Sequence, residues 1–272
     1  MKNIAIIGCG YVGTEMARYW HQLGYVLTVT TRTPDRVAEL EAVAQGVVVI
    51  KGNDAIGLRS VLEKQDTVLV TVAAANRQMY AEAYLETAQT LVSVLREVPR
   101  VRQVIYTGSY GVYGDKDGAW VDESSPVAPA NENIQILCDT EKVLLSAARE
   151  NLRVCILRLG GIYGPGREII KIFRRAAGTT HPGKGTEATN WIHLDDIVGA
   201  IAFADDRQLE GIYNLVDDEH LTNREFLNRV FAKHSLPNVT WDARSKRSYN
   251  AWVSNQKIKA AGYQLIHPQR MV

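Results

Sequence analysis

The stretch Asn3-Ile4-Ala5-Ile6-Ile7-Gly8-Cys9-Gly10-Tyr11-Val12-Gly13 decides how this chain is read. A short apolar run enters a Gly-x-Gly-x-x-Gly turn, and Val12, Met16, Trp20 and Leu23 then recur at helical spacing. The order is strand, glycine turn, helix. Gly8 allows a tight turn, Gly10 lets backbone approach a pyrophosphate, and Gly13 permits a helix to pack closely on a strand. Phosphate then meets free N–H groups and the positive end of the macrodipole in the first helical turn, which includes Tyr11, Val12 and Gly13. Three glycines alone also make a structural turn; their place at the head of an alternating strand-helix chain favours dinucleotide binding.

At 272 residues the chain can bury a full core. Its formal net charge of +1, with acids and bases interspersed, suggests neither a nucleic-acid partner nor an acidic tail, and makes a dissolved small molecule the expected substrate. The first apolar run is too short for a signal peptide, and the run from Val68 to Ala75 is too short to span a bilayer, so a cytoplasmic protein is expected. Cys9, Cys138 and Cys155 have neither CxxC nor metal-ligand spacing; no disulfide framework and no metal site is expected.

Beyond the first helix, Val26 to Thr31 reads as a buried strand, and Thr33 with Pro34 as a helix start. The tip of that strand is where a dinucleotide fold reads the adenosine ribose. An acid there would accept from both hydroxyls of NAD; this chain has Thr31-Arg32, a hydroxyl and a cation suited to a 2′-phosphate, so NADP is favoured and NAD is the second choice. Val47 to Ile50 reads as a third strand, followed by Gly52-Asn53-Asp54 near the adenine edge. Asp66 to Ala73 reads as a fourth, whose small residues Ala73 and Ala74 leave room for a cofactor crossing the sheet. A long helix is expected over 78–97, and a fifth strand over Gln103 to Thr107.

The fifth strand leads into Gly108-Ser109-Tyr110-Gly111-Val112-Tyr113-Gly114. Ser-x-x-Val-Tyr-Gly in that place resembles the extended short-chain dehydrogenase/reductase superfamily, of the NAD-dependent epimerase/dehydratase type. Three later segments carry the same resemblance: Leu157-Arg158 with Ile162-Tyr163-Gly164-Pro165-Gly166-Arg167, Trp191-Ile192-His193-Leu194-Asp195-Asp196, and Lys257 to Gly262-Tyr263. The resemblance covers nearly the whole chain. It implies an α/β fold, a doubly wound parallel Rossmann sheet with a small interleaved C-terminal substrate lobe. The cofactor-binding domain would take residues 1–166 and 191–216, and the lobe 167–190 and 217–272. The glycine-containing stretch 178–190 reads as a mobile lid, and Thr222 to Glu225 as a capping box.

In that family a Tyr four residues before a Lys carries the chemistry, the Lys holding the nicotinamide ribose and the Tyr exchanging a proton with substrate beside a Ser. The resemblance maps Ser109 and Lys142 onto two of these roles, and the Tyr place falls on Cys138. Spacing of four puts Cys138 and Lys142 on one helical face. A thiol is acidic enough, at about 8.5 against about 10 for Tyr, but falls short of a phenol by roughly 4 Å in reach. Cys138 is therefore read either as a small buried residue or as the proton donor. Tyr110, Tyr113 and Tyr163 lie on loops where each can supply the missing phenol or pack under the lobe; Tyr163 also lies where the cofactor is contacted. Ser109 can bond a substrate oxygen or cap a turn, His193 reads as structural, and Arg167 can bind an anion or cap a helix. Gly161 stands where the family often has a substrate-holding Asn. Two functions stay open: an NADP-dependent oxidoreductase or epimerase acting on a small hydroxy or carbonyl compound, sugar derivatives included, and a non-catalytic NADP-binding redox sensor or assembly factor. A homodimer is compatible with either.

Overall fold

A computed structural model describes residues 1–245 and 249–272. The chain divides into two compact units, one of residues 1–108, 132–157 and 198–212, the other of 109–131, 158–197 and 213–272.

A seven-stranded sheet takes most of its residues from the first unit. With β1 (Asn3–Ile7), β2 (Val26–Thr31), β3 (Gly46–Val49), β4 (Thr67–Val70) and β5 (Gln103–Ser109), the strand order is Gly211–Leu215, Arg153–Leu159, β5, β4, β1, β2, β3. The pairs β1/β2, β1/β4, β2/β3 and β4/β5 are parallel. Successive strands leave β1 first on one side, then on the other, which makes the β1/β4 edge the switch point where ligands of open α/β sheets settle. The β-branched runs bury both faces, as parallel strands under helices do. Ala5, Ile7, Val68, Val70, Val104 and Tyr106 pack with Leu58, Leu62, Leu91, Leu95 and Leu144 from the covering helices.

Several element bounds differ from the sequence expectation. β4 ends at Val70, with the Thr71 amide still donating to the Ile7 carbonyl at 2.9 Å, so the strand stops short of the expected Ala73. β5 continues to Ser109. The expected helix over 78–97 is broken into a 3-10 turn at Arg77–Met79, a π-helical turn at Ala81–Glu86 and an α-helix at Thr87–Leu95. The widened turn is held where the Thr87 hydroxyl donates to the Glu82 carbonyl, 3.2 Å away and five residues back. Asn76 opens the segment by accepting from the amides of Gln78 and Met79.

The second unit has two apolar clusters. One joins Tyr163 and Ile169 to Phe226, Leu227, Val230 and Phe231 of the helix Asn223–Lys233. That helix starts with the expected capping box, Thr222 and Glu225 each bonding the other's backbone N–H. The other cluster gathers Tyr113, Val121, Val216, Ala251 and Val253 around the parallel pair Asp115–Val121 and Asn250–Val253. The stretch 178–190, expected as a mobile lid, is tied down. Thr180–Pro182 pairs with Thr240–Asp242, the Asn190 amide bonds the backbone of Ala251 and Val253, and the Thr189 hydroxyl donates to the Leu221 carbonyl. Its glycines serve close packing: a Cβ on Gly185 would lie 2.7 Å from the Trp241 ring. Among the described residues no helix is long and apolar enough to cross a membrane.

Candidate functional site

The glycine turn sits at the switch point. Gly8 has φ of +79°, and a Cβ there would stand 2.8 Å from Val72 Cα. A Cβ on Gly13 would stand 2.7 Å from the Thr71 hydroxyl. Gly10 differs from both, since its nearest neighbour would be the Gly8 carbonyl at 3.9 Å. Two glycines are therefore required by the protein itself, while at Gly10 space stays open. Side chains brace the turn: Thr30 Oγ1 accepts from the Gly8 amide at 2.9 Å, and Thr71 Oγ1 donates to the Gly8 carbonyl at 2.9 Å. The helix α1 (Tyr11–Gln22) has Gly10 at its N-cap, no side-chain cap and no acid in its first turn. Its first amides, those of Tyr11, Val12 and Gly13, have the arrangement that suits an anion.

A pocket opens beside this turn. Gly8 and Gly10, Thr31 and Arg32, and Thr71 to Ala73 line it from the carboxyl ends of β1, β2 and β4. Gly52, Glu82 and Thr87 complete it. Arg36, which the sequence reading passed over, belongs here too. One of its Nη atoms donates to the Cys9 carbonyl and the other to Thr14 Oγ1 at 3.1 Å, and it pairs with Glu39 at 3.0 Å. Its side-chain bond holds the Glu39 carboxyl below the usual range. The available signal was a second arginine four residues after Arg32. Arg32 itself is exposed and reaches the Ala73 carbonyl at 3.4 Å. Thr31 Oγ1 accepts from the Thr33 amide at 3.1 Å. The adenine-edge residues sort differently from expectation. Gly52 lines the pocket, packed on Thr87, whereas the Asn53 amide donates to Glu86 at 2.9 Å and Asp54 caps the helix Ala55–Leu62. Ala73 lines the pocket, and the amide of Ala74 donates to the Tyr84 hydroxyl at 3.4 Å.

The expected catalytic residues lie in several settings. Ser109 Oγ accepts from the Gly111 amide at 3.1 Å and caps the 3-10 turn Tyr110–Tyr113. Tyr110 is half-buried with its ring 6.2 Å from that of Tyr249, which also lies 3.3 Å from a Cβ built on Gly111. Tyr113 is fully buried; its hydroxyl donates to Asn214 at 2.9 Å and Arg158 lies 4.8 Å over its ring. Tyr163 is buried edge-on to His193, its hydroxyl accepts from the Met271 amide, and burial pushes it up to about 12. Both therefore sit in the apolar clusters and not on exposed loops. Gly161 lies under the Trp191 ring, where a Cβ would come within 2.8 Å, so no Asn fits in its place.

On the helix Glu132–Leu145, Cys138 and Lys142 stand about 40° apart, as their spacing of four requires, yet their burial differs. Cys138 is 3% exposed, while the Lys142 side chain is 68% exposed and pairs with Asp139 at 3.1 Å. The side chain that faces β5 is Glu141, buried, with Oε1 3.1 Å from a Cβ built on Gly108. One residue along a helix is a turn of about 100°, enough to send Lys142 into solvent.

Two of the later family segments meet around Asp196. This fully buried carboxylate accepts from the amides of Ile266 at 2.6 Å and His267 at 3.0 Å, and the main-chain carbonyl of Asp196 accepts from the Tyr263 hydroxyl at 2.8 Å. That ties the aromatic-x-His-x-x-Asp segment to the closing Lys257 to Tyr263 segment, and Lys257 also lies 4.6 Å over the Tyr213 ring.

The sequence profile of the NAD dependent epimerase/dehydratase family matches residues 4–215. Protein YeeZ of Escherichia coli strain K12 is 30% identical over 234 residues, which cover 83% of this chain and 81% of that protein. Among solved structures, a functionally unknown conserved protein from Silicibacter pomeroyi superposes with a TM-score of 0.79 at 25% identity, covering 99% and 95% of the two chains. A dTDP-glucose 4,6-dehydratase from Bacillus anthracis, in complex with NAD, superposes with a TM-score of 0.81 at 16% identity, covering 98% and 92%. With the glycine turn at the switch point and a match spanning most of its length, the chain belongs to the NAD-dependent epimerase/dehydratase family.

Proposed function

We propose that this protein is an NADP-dependent oxidoreductase or epimerase acting on a small hydroxy or carbonyl compound, sugar derivatives included. The observation that carries the cofactor choice is the tip of β2, where Thr31, Arg32 and Arg36 line the pocket and no acid stands in the ribose-reading place. A 2′-phosphate there gains charge-assisted bonds, each stronger than a neutral one. Bound NADP would be cradled by Gly8, Gly10 and the first amides of α1, with Ala73 alongside, and would supply hydride transfer. In this reading residues 167–190 and 217–272 form the substrate-binding part, Ser109 bonds a substrate oxygen, and Tyr110 supplies the phenol. The protein works in the cytoplasm on a dissolved substrate.

The second reading, an NADP-binding redox sensor or assembly factor without turnover, is favoured by one observation: buried Cys138 and solvent-exposed Lys142 do not reproduce the family's Tyr and Lys. Calorimetric titration with NADPH and NADH tests the shared part. Tighter NADPH binding, reversed by Arg32→Glu, is expected; equal affinities in the unmodified protein overturn the cofactor assignment. NADPH fluorescence decay with a panel of aldehydes, ketones and nucleotide sugars separates the two readings, since a sensor oxidises none of them.

A further inference from the structure

We propose that His193, Asp195 and His267 form a site for a divalent transition-metal ion of the zinc type, independent of the dinucleotide pocket. His193 ends the strand Trp191–His193, Asp195 lies in the first turn of the helix Leu194–Asp206, and His267 comes from the C-terminal segment. One donor atom from each of the three lies within 4.8 Å of the others. His267 Nε2 stands 2.9 Å and His193 Nδ1 3.3 Å from the same oxygen, Asp195 Oδ2. Bonds of about 2.0–2.2 Å in a tetrahedral shell place donors roughly 3.3–3.5 Å apart, so small side-chain adjustments bring the three into a coordination shell.

Two features make this more than a chance grouping. The Asp195 amide donates to His193 Nδ1 at 3.2 Å, which fixes that nitrogen as a lone-pair carrier in the neutral ring. With no hydrogen on Nδ1, its 3.3 Å approach to Asp195 Oδ2 brings two acceptors together, an opposition that a cation relieves. An ion would take the lone pair from the amide and give up one long hydrogen bond. Secondly, the backbone carrying His267 is already placed, because its amide and that of Ile266 bond the buried Asp196 carboxylate. Access is open, since Asp195 is 53% exposed while His193 is only 4% exposed, and water fills the remaining position. Two imidazoles and one carboxylate suit Zn²⁺, Co²⁺ or Ni²⁺ and not Mg²⁺ or Ca²⁺, which prefer all-oxygen shells. The cysteine spacing behind the expectation of no metal site gave no sign of it, because His267 lies 72 and 74 residues beyond Asp195 and His193 and joins them only in the fold. The ion would staple the C-terminal segment to the start of the helix Leu194–Asp206.

The test uses full-length protein stripped with a chelator and dialysed, titrated with Zn²⁺ by calorimetry and with Co²⁺ by visible absorption. One ion per chain, a raised thermal midpoint with Zn²⁺ and no response to Mg²⁺ are expected, with all metal responses lost in both His267→Gln and Asp195→Asn. These two positions are partly exposed, so the variants keep their fold, checked by circular dichroism, where a His193 variant need not. Absence of binding in the unmodified protein, or binding retained in both variants, overturns the proposal.

Discussion

The turn from Gly8 to Gly13 and the helix Glu132–Leu145 both lie in the first unit, and cofactor contacts are expected at both, at the turn from its glycine spacing and on the helix from the family resemblance. In the turn the assignment rests on backbone: the residues that must lack a side chain lack one, and their neighbours stand where a Cβ would be. On the helix it rests on where two side chains end up, and they differ, Cys138 buried and Lys142 extending into solvent toward Asp139. A steric requirement survives any local shift that keeps the chain path. A flexible side chain at the edge of a buried face can leave it with no change in the backbone, as Lys142 does about 40° around the helix from Cys138.

Within the turn the comparison can be pressed hardest. Gly8→Ala meets both a positive φ and a backbone atom of Val72, so we expect a loss of about 3 kcal/mol or more in urea unfolding. Gly10→Ala meets neither and should change stability by no more than about 0.5 kcal/mol while weakening NADPH binding measurably, because the added methyl enters the space reserved for ligand. Equal destabilisation by the two changes would mean that the turn is purely structural.

Arg36→Glu is expected to have the next largest effect. It removes a cation at the pocket wall and its bonds to the Cys9 carbonyl and Thr14, and a charge-assisted contact is worth about 1.5–3 kcal/mol. NADPH affinity should fall roughly 10- to 100-fold, with a smaller loss for NADH, both read by calorimetry. A parallel loss for the two cofactors would assign Arg36 to holding the turn and not to the 2′-phosphate.

Much of the fold and the first half of the site was legible because periodicity, glycine and capping residues report backbone. Gly8, Gly10, Thr31, Arg32 and Ala73 fall on one pocket as read, and the Thr222 capping box forms as read. What was not legible depends on tertiary placement. Arg36 reaches back across the turn, the π-helical turn brings Thr87 against Gly52, and Trp191 covers Gly161. Tyr113 and Tyr163, which the sequence leaves on loops, are drawn inward by Asn214, Arg158 and the aromatic cluster around His193. The loop 178–190 looked mobile by composition, yet bonds to 221, 251 and 253 fix it.

All three cysteines are buried, and burial pushes the Cys9 thiol up to about 11. At pH 8 the folded protein should therefore react slowly with a thiol reagent such as Ellman's, and release of three equivalents should require denaturant. A single fast thiol that NADPH protects, mapped to Cys138 by mass spectrometry, would return that residue to the chemistry.

The smallest expected effect decides most about the helix. Lys142 is exposed and its ion pair with Asp139 is of the solvent-screened kind worth about 0–1 kcal/mol. Lys142→Met should then leave both stability and NADPH affinity close to the unmodified values, and Cys138→Ala should lower stability modestly without touching affinity. The contrast with Gly10→Ala is the informative part: a methyl at an open glycine should matter to the cofactor more than the removal of a whole charge four residues beyond the missing Tyr. If Lys142→Met instead weakens NADPH by tenfold or more while circular dichroism and the unfolding midpoint stay put, the lysine swings inward when cofactor binds. The sequence spacing would then have read a bound state in which the side chain leaves Asp139, and the sensor reading would lose the observation that favours it.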